Sequence, residues 1–514
     1  MKNSIRHLDV LDYVRGIAIL SVLLFHTLGV VFGFDVLPWN GWLRNFSGQN
    51  SFLFFLPLSF GQAGVAIFFV VSGFCIHLSF HQQGQNWRAF FIRRTFRIYP
   101  AYLAAVILFV LFNIADSDVR AAFDQEFWKQ LVTHLFLVQN ADHSTITGLN
   151  PSLWSLAIEA QLYLLYPALI FLAGKIGWRR SLFWLGVCEL LIRGADGSIQ
   201  TLGLEKTMAG NVSWVLSNSP LGYWCSWALG AYLAEALLKH EPLPFANCSM
   251  AWWSVLALTS YFIRPLYPFI FFLFALLTAI GIARLVRGGE PAVKIHGRFL
   301  TFLKRAGLMS YSLYLLHQPL LNIYSYLIVW AVPEQYRPAP VAFLLILMTW
   351  FPIFGLALFW HRLFELPGIA FGKRVLHCKQ EKIITPNVYP MMAALIGIIV
   401  VTFIINLKLK PLSPEQNNNL AWSFATNPSA DKRDGLRAIK LAEDACRRTQ
   451  SQKTVMVGTL AAAYAEAGRF DDAIATATDA CRLASMNGET NLLEKNQSLL
   501  ILYRNHRAYH GDHE

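Results

Sequence analysis

The chain has 514 residues, 55% of them hydrophobic and 14% charged, with a formal net charge of +12. Soluble domains carry about 25% charged residues, so this composition excludes an ordinary soluble protein and indicates a chain that crosses a membrane many times. The basic residues lie in loops between apolar runs, which assigns them to orientation in the membrane and not to nucleic acid.

The first apolar segment, residues 11–32, carries two polar residues that are costly in lipid, Arg15 and His26. Eleven helical steps leave them about 20° apart around the axis and about 16 Å apart along it, so both point from one face. With Arg15 at one interface, His26 lies near the middle of a hydrocarbon layer about 30 Å thick. An imidazole there is suited to moving a proton; the plainer alternative is a structural hydrogen bond to a neighbouring helix. The segment is too long for a signal peptide and lacks a small-residue cleavage site after it, so none is expected.

Further apolar runs follow at 61–80, 98–114, 154–173, 181–192, 222–238, 251–263, 268–283, 307–330 and 341–360, with another at 388–407. The fold class is therefore all-α: a polytopic helical membrane protein of about ten spans plus an extra one, with a small soluble helical domain after them. The expected organisation is a transmembrane domain over 1–380, the extra span with its flanks over 381–410, and a linker and helical domain over 411–514. With the amino terminus in the cytoplasm, alternate loops collect arginine and lysine (Arg88 to Arg97; Lys175 to Arg180; Arg284 to Arg305), while the opposite loops hold Asp35, Asp116 and Asp118. This asymmetry predicts a plasma (inner) membrane protein whose last domain is extracytoplasmic.

Four stretches carry polar groups at defined depths. In the second span, Ser72 and Gly73 suit close helix packing. At the mouth of the third, Arg93, Arg94 and Arg97 cluster; guanidinium forks suit phosphate, so with Arg15 they are candidates for holding a phosphorylated cytoplasmic donor, against simple interfacial anchoring. In the fourth, Glu159 lies inside the apolar run with Tyr163 one turn on and Trp154 at its start, and His26 is its expected partner. In the ninth, Tyr311, Tyr314 and His317 make a polar stripe that lines a cavity or packs with satisfied hydroxyls.

After a polar linker at 411–419 the chain becomes alanine-rich and amphipathic, and residues 460–481 resemble a tetratricopeptide repeat: helix, glycine turn, helix. Cys446 and Cys481 occupy equivalent positions 35 residues apart and are expected to pack as small residues without bridging. The seven cysteines show no CxxC-type spacing, and no metal-ligand set is expected.

Taken together, residues 7–365 resemble the membrane-bound acyltransferase-3 family. The resemblance rests on LDYVRGIAIL with Arg15 and His26 separated by ten residues, FFVVSG, RRTFRIYPAY, SLWSLAIEAQLYLLYP and SYSLYLLHQP, in this order on the spans. It implies transfer of an acyl group, usually acetyl, from cytoplasmic acyl-CoA to a hydroxyl of a surface glycan or lipid-linked sugar. By the same resemblance Arg15 and His26 correspond to the family's Arg/Lys–His pair and Glu159 to its acidic position. The expected catalytic residues are His26, Glu159 and Arg15. Arg93, Arg94, Arg97, Ser72 and Gly73 are expected to bind the acyl-CoA co-substrate, and Trp154, Tyr163, Tyr314 and His317 the substrates. His26 then acts as general base with Glu159 orienting its ring, or as an acyl relay. Some family members carry an outer hydrolase-like domain; here a repeat module stands in its place, with no GDS-type nucleophile motif. The expected partners are membrane lipid, the glycan or lipid-linked acceptor, and a protein bound by the repeats. Two other readings remain: a glycan or lipid transporter without chemistry, which the intramembrane Arg, His and Glu suit equally well, and a membrane anchor whose business is the repeat module.

Overall fold

Helix α1 (Asp9–Phe32) organises the membrane unit. Asp9 and Asp12 fill its first turn, where the helix dipole favours anions, and Asp9 pairs at 2.7 Å with Lys304 of α11 (Arg298–Leu308). A methyl group on Gly16 would meet the Leu303 carbonyl and one on Gly307 the Asp12 carbonyl, so α1 and α11 touch backbone to backbone. α1 also packs against α2 (Ala63–Gln82), α12 (Ser310–Ala331) and α13 (Ala339–Met348).

The other helices of this unit are α3 (Trp87–Ile114), α4 (Gln125–Leu135), α5 (Trp154–Ile176), α6 (Trp178–Leu202), α7 (Met208–Ser217), α8 (Trp224–Leu238), α9 (Met250–Thr259), α10 (Ile270–Arg287), α14 (Trp350–Trp360) and α15 (Leu366–His377). The structure is a computed structural model and describes residues 9–34, 37, 55–114, 125–204, 207–287, 297–377, 397, 399–402, 414–449 and 451–511. Among these there is no strand, and the protein is an all-α, multi-pass membrane protein.

Six described helical stretches are long and apolar enough to cross a membrane: Asp9–Phe32, Pro57–Gln82, Trp87–Phe112, Pro151–Ile176, Arg264–Arg287 and Ala339–Leu376. The remaining expected spans fall on helices that are shorter or more polar. α8 has 15 residues and α9 has ten. The run at 181–192 sits inside α6, which is 25 residues long and carries Glu189, Arg193 and Asp196. The run at 307–330 is α12 with its polar stripe. The extra span at 388–407 lies outside the described residues except for 397 and 399–402.

α2 and α8 run parallel and also touch backbone to backbone. A methyl group on Gly73 would collide with the Trp227 carbonyl, and one on Gly230 with the Val70 carbonyl. In α12, Pro319 has no N–H to offer the Leu315 carbonyl one turn earlier. Asn150 supplies the missing donor, its Nδ2 lying 2.8 Å from that oxygen.

The chain divides into two compact units, Met1–Leu409 and Lys410–Glu514. The second holds α16 (Pro414–Thr426), α17 (Gly435–Arg448), α18 (Thr454–Glu466), α19 (Phe470–Asn487) and α20 (Thr490–Arg504). Its core is mostly alanine around Tyr503, which lets the helices approach closely. The segment 460–481 falls on α18 and α19, with Gly468 at φ +76° in the turn, a left-handed value that glycine adopts without strain. Cys446 and Cys481 are both free thiols.

Candidate active site

Two cavities lie along α1. The first, about 330 Å³, contains Arg15, Ser72, Arg94, Arg97, Glu159 and Tyr163 in its wall. The second, about 760 Å³, contains His26. Val65 and Tyr314 line both, so these two side chains form the partition.

The first cavity is strongly cationic. Arg15 reaches it from α1, donating to Cys75 Sγ at 3.2 Å and facing Asp12 Oδ1 at 3.5 Å. Arg94 and Arg97 come from α3, three positions apart on one face. Arg94 Nη2 donates to Ser79 Oγ at 2.9 Å, and its Nε is buried without a partner among the described residues. A buried guanidinium with an unpaired N–H is a ready donor for an anion. Glu159 is the counter-charge. Its Oε1 accepts from Ser72 Oγ at 2.5 Å and from Tyr163 Oη at 2.6 Å, and Trp227 Nε1 donates to Ser72 Oγ at 3.3 Å.

The second cavity combines a basic nitrogen with aromatic and amide walls. His26 Nδ1 lies 2.9 Å from the Val22 carbonyl and 3.2 Å from His317 Nε2. His317 Nδ1 lies 2.9 Å from the Tyr314 carbonyl, which requires a proton on that nitrogen and leaves Nε2 as acceptor. These partners place the proton of His26 on Nδ1 and the lone pair on Nε2. Around the cavity stand Trp154, Trp214, Tyr223 and Tyr267, with Asp196, Gln318 and Asn322. Arg193 also lines it, lying 4.8 Å from the Tyr223 ring centroid and 5.1 Å from that of Phe271, and held by Glu189 at 3.2 Å.

This arrangement changes several expectations. Glu159 bonds Ser72 and Tyr163 in the first cavity, whereas the His26 ring is held by Val22 and His317. The helical positions fix depth along each helix but not which faces meet. Gly73 is absent from the first cavity because its face is pressed against α8. Arg93 is also absent, being one step of about 100° around α3 from Arg94, and its Nε and Nη2 are buried without partners among the described residues. Trp154 lines the second cavity, Tyr163 the first and Tyr314 both, while His317 stands behind His26, fully buried. Arg193 and Asp196 escape the hydropathy pattern because the run at 181–192 ends just before the polar face of α6. His77 and His81 are not among the expected site residues, although their spacing of four in an apolar helix is a visible signal.

Residues 8–360 match the model of the acyltransferase-3 family, described as an acyltransferase domain. The chain is 32% identical over 128 residues to the acyltransferase MdmB of Streptomyces mycarofaciens, covering 24% of this chain and 32% of that protein. It is 27% identical over 191 residues to the peptidoglycan O-acetyltransferase OatA of Listeria monocytogenes (33% of this chain, 25% of that protein). It is 26% identical over 210 residues to the O-acetyltransferase OatA of Staphylococcus aureus (37% and 29%). The matches thus span a quarter to a third of the length of these relatives. No solved structure matches the chain.

Proposed function

The chain belongs to the acyltransferase-3 family, and from that premise we propose that it is a membrane O-acyltransferase that moves an acyl group, acetyl first among candidates, from cytoplasmic acyl-CoA to a hydroxyl of a surface glycan or lipid-linked sugar. The observation that carries this reading is the pair of cavities on one helix: a cationic one at Arg15 and one holding His26, divided by Val65 and Tyr314.

The two cavities suit two substrates. The phosphates of CoA fit Arg15, Arg94 and Arg97, and its thioester arm points along α1 toward the partition. The spacing of Arg15 and His26, about 16 Å by helical rise, sets the length the arm must cover. The acceptor occupies the second cavity. Aromatic faces and neutral amides suit the apolar faces and hydroxyls of a sugar ring.

In the reaction His26 Nε2 takes the proton of the acceptor hydroxyl as its oxygen attacks the thioester carbonyl. The new C–O bond forms, the C–S bond breaks, and the proton passes from Nε2 to the departing CoA thiolate. The products are the ester and free CoA. Tyr314 Oη, 2.6 Å from Ser155 Oγ at the partition, is placed to donate to the carbonyl oxygen as charge builds there. The amino terminus is cytoplasmic and the Lys410–Glu514 unit extracytoplasmic in this reading, following the loop charges. That unit binds a protein partner.

The test is transfer of labelled acetyl from acetyl-CoA in inside-out vesicles that contain the protein and an outer-face glycan acceptor. Wild type is compared with His26→Ala at equal protein level, and acetyl-CoA binding is measured on both. Label in the glycan or lipid fraction of wild type alone, with binding kept in the variant, supports the reading. Equal labelling in both removes His26 from the chemistry. Absence of CoA binding in wild type favours a transporter.

A further inference from the structure

The sequence offers no metal-ligand spacing, yet the fold gathers three donors from positions far apart in the chain. His77 and His81 stand one turn apart near the end of α2, and Glu235 reaches them from α8. Glu235 Oε2 lies 2.8 Å from His77 Nε2 and 3.9 Å from His81 Nε2. All three donor atoms fall within 4.8 Å of one another. We propose that His77, His81 and Glu235 form a binding site for a divalent transition-metal ion of the zinc type, clamping α2 to α8.

The donor set and its surroundings favour this assignment. Two imidazoles and a carboxylate suit zinc, and tetrahedral bonds of about 2.05 Å place ligand atoms about 3.3 Å apart, between the two distances seen here. Bound histidines usually hold a partner on the second ring nitrogen, which fixes the ring and its tautomer. Both rings have one. Tyr166 Oη lies 3.0 Å from His77 Nδ1, and the Gln85 amide lies 3.0 Å from His81 Nδ1. A half-turn of that amide presents its oxygen to an Nδ1 proton. The second carboxylate oxygen is also held, by Lys239 Nζ at 2.9 Å. Trp178 packs edge-on against His77, with ring centroids 5.1 Å apart.

Among the described residues, Lys239 is the cation that opposes a metal here. Its side chain is 55% exposed and touches the oxygen that faces away from the imidazoles, so it moves into water at little cost. His81 is only partly buried, which leaves a path for the ion and an open fourth position. The rigid base of the site is the α2–α8 contact through Gly73 and Gly230. The same helix α2 supplies Ser72, Cys75 and Ser79 to the cationic cavity, so a metal at its end would hold one wall of that cavity in place.

The experiment uses the full chain without an affinity tag, purified in detergent, stripped with a chelator and titrated with Co²⁺ and then Zn²⁺. Wild type should take up about one equivalent of Co²⁺ with the visible absorption of a four-coordinate N/O site, and Zn²⁺ should abolish that band. Zn²⁺ should also raise its unfolding temperature. His81→Ala lies at a solvent-facing helix end and should fold; it should lose the band and the thermal shift while unfolding at the wild-type temperature in chelator. Lys239→Met should keep both signals. A wild type that gives no saturable Co²⁺ band overturns the proposal, leaving a hydrogen-bonded His–Glu–Lys network. So does a His81→Ala variant that binds as wild type does.

Discussion

His317 Nε2 stands 3.2 Å from His26 Nδ1, and His317 is itself anchored through Nδ1 to the Tyr314 carbonyl. A backbone-anchored imidazole thus holds a second imidazole, and the orientation of the proposed base depends on a residue that need not touch substrate. His317→Leu should leave acetyl-CoA binding unchanged and lower kcat by about 100-fold, the scale on which a misplaced reacting group acts. His317→Gln keeps an acceptor for the Nδ1 proton and should recover much of that loss. Steady-state transfer kinetics on both variants decide the point: equal losses would make His317 a packing residue.

How much of this was legible before folding depends on the kind of information needed. Arg15, His26 and Glu159 stand out because ionisable residues are rare in apolar runs, Arg94 and Arg97 because they cluster at the mouth of one, and all five line one of the two cavities. Their grouping was not legible. Glu159 and His26 lie at depths that allow a bond, but only the relative rotation of α5 and α1 decides that Glu159 faces Ser72 and Tyr163. Gly73 suited close packing from the start, and that is where it sits. Arg193 and Asp196 are hidden for a different reason: a helix face that borders a polar cavity has the composition of a loop, so the apolar run stops ten residues before α6 does.

Arg94 and Arg97 should act on the donor alone. Hydrogen bonds to charged groups contribute about 1.5–3 kcal/mol, so Arg94→Gln and Arg97→Gln should each raise the KM for acetyl-CoA by about 10-fold or more. Arg93 lies off this cavity, and Arg93→Gln should change that KM far less. The acceptor KM should stay constant in all three. A KM increase shared equally by Arg93 and Arg94 variants would point to a diffuse field and not to a built anion site.

Glu159 holds two hydroxyls at once, that of half-buried Ser72 and that of buried Tyr163, so its removal is first a matter of stability. Glu159→Leu strands the protons of Ser72 and Tyr163, and a stranded buried polar group costs about 1–3 kcal/mol. Glu159→Gln keeps an acceptor oxygen and should cost much less. Thermal unfolding in detergent should therefore order the proteins as wild type, then Gln, then Leu. If Gln and Leu unfold together, the charge itself, balancing the three arginines, is what the site needs.

The proline in α12 gives a test with a rescue built in. Asn150 donates to the Leu315 carbonyl because Pro319 cannot. Asn150→Leu leaves that buried carbonyl without its donor and should lower stability by about 1–3 kcal/mol. Pro319→Ala restores a backbone N–H one turn after Leu315, so the helix can close its own hydrogen bond. In that background Asn150→Leu should cost distinctly less, and the double-mutant cycle should show a coupling well outside the additivity expected of independent sites. The side chain of Asn150 also accepts from Ser152 N at 2.9 Å, which shapes the turn into α5 and sets a floor under the remaining loss. Additive costs would mean that Pro319 and Asn150 act separately, and that α12 is held near His317 by packing and not by this bond.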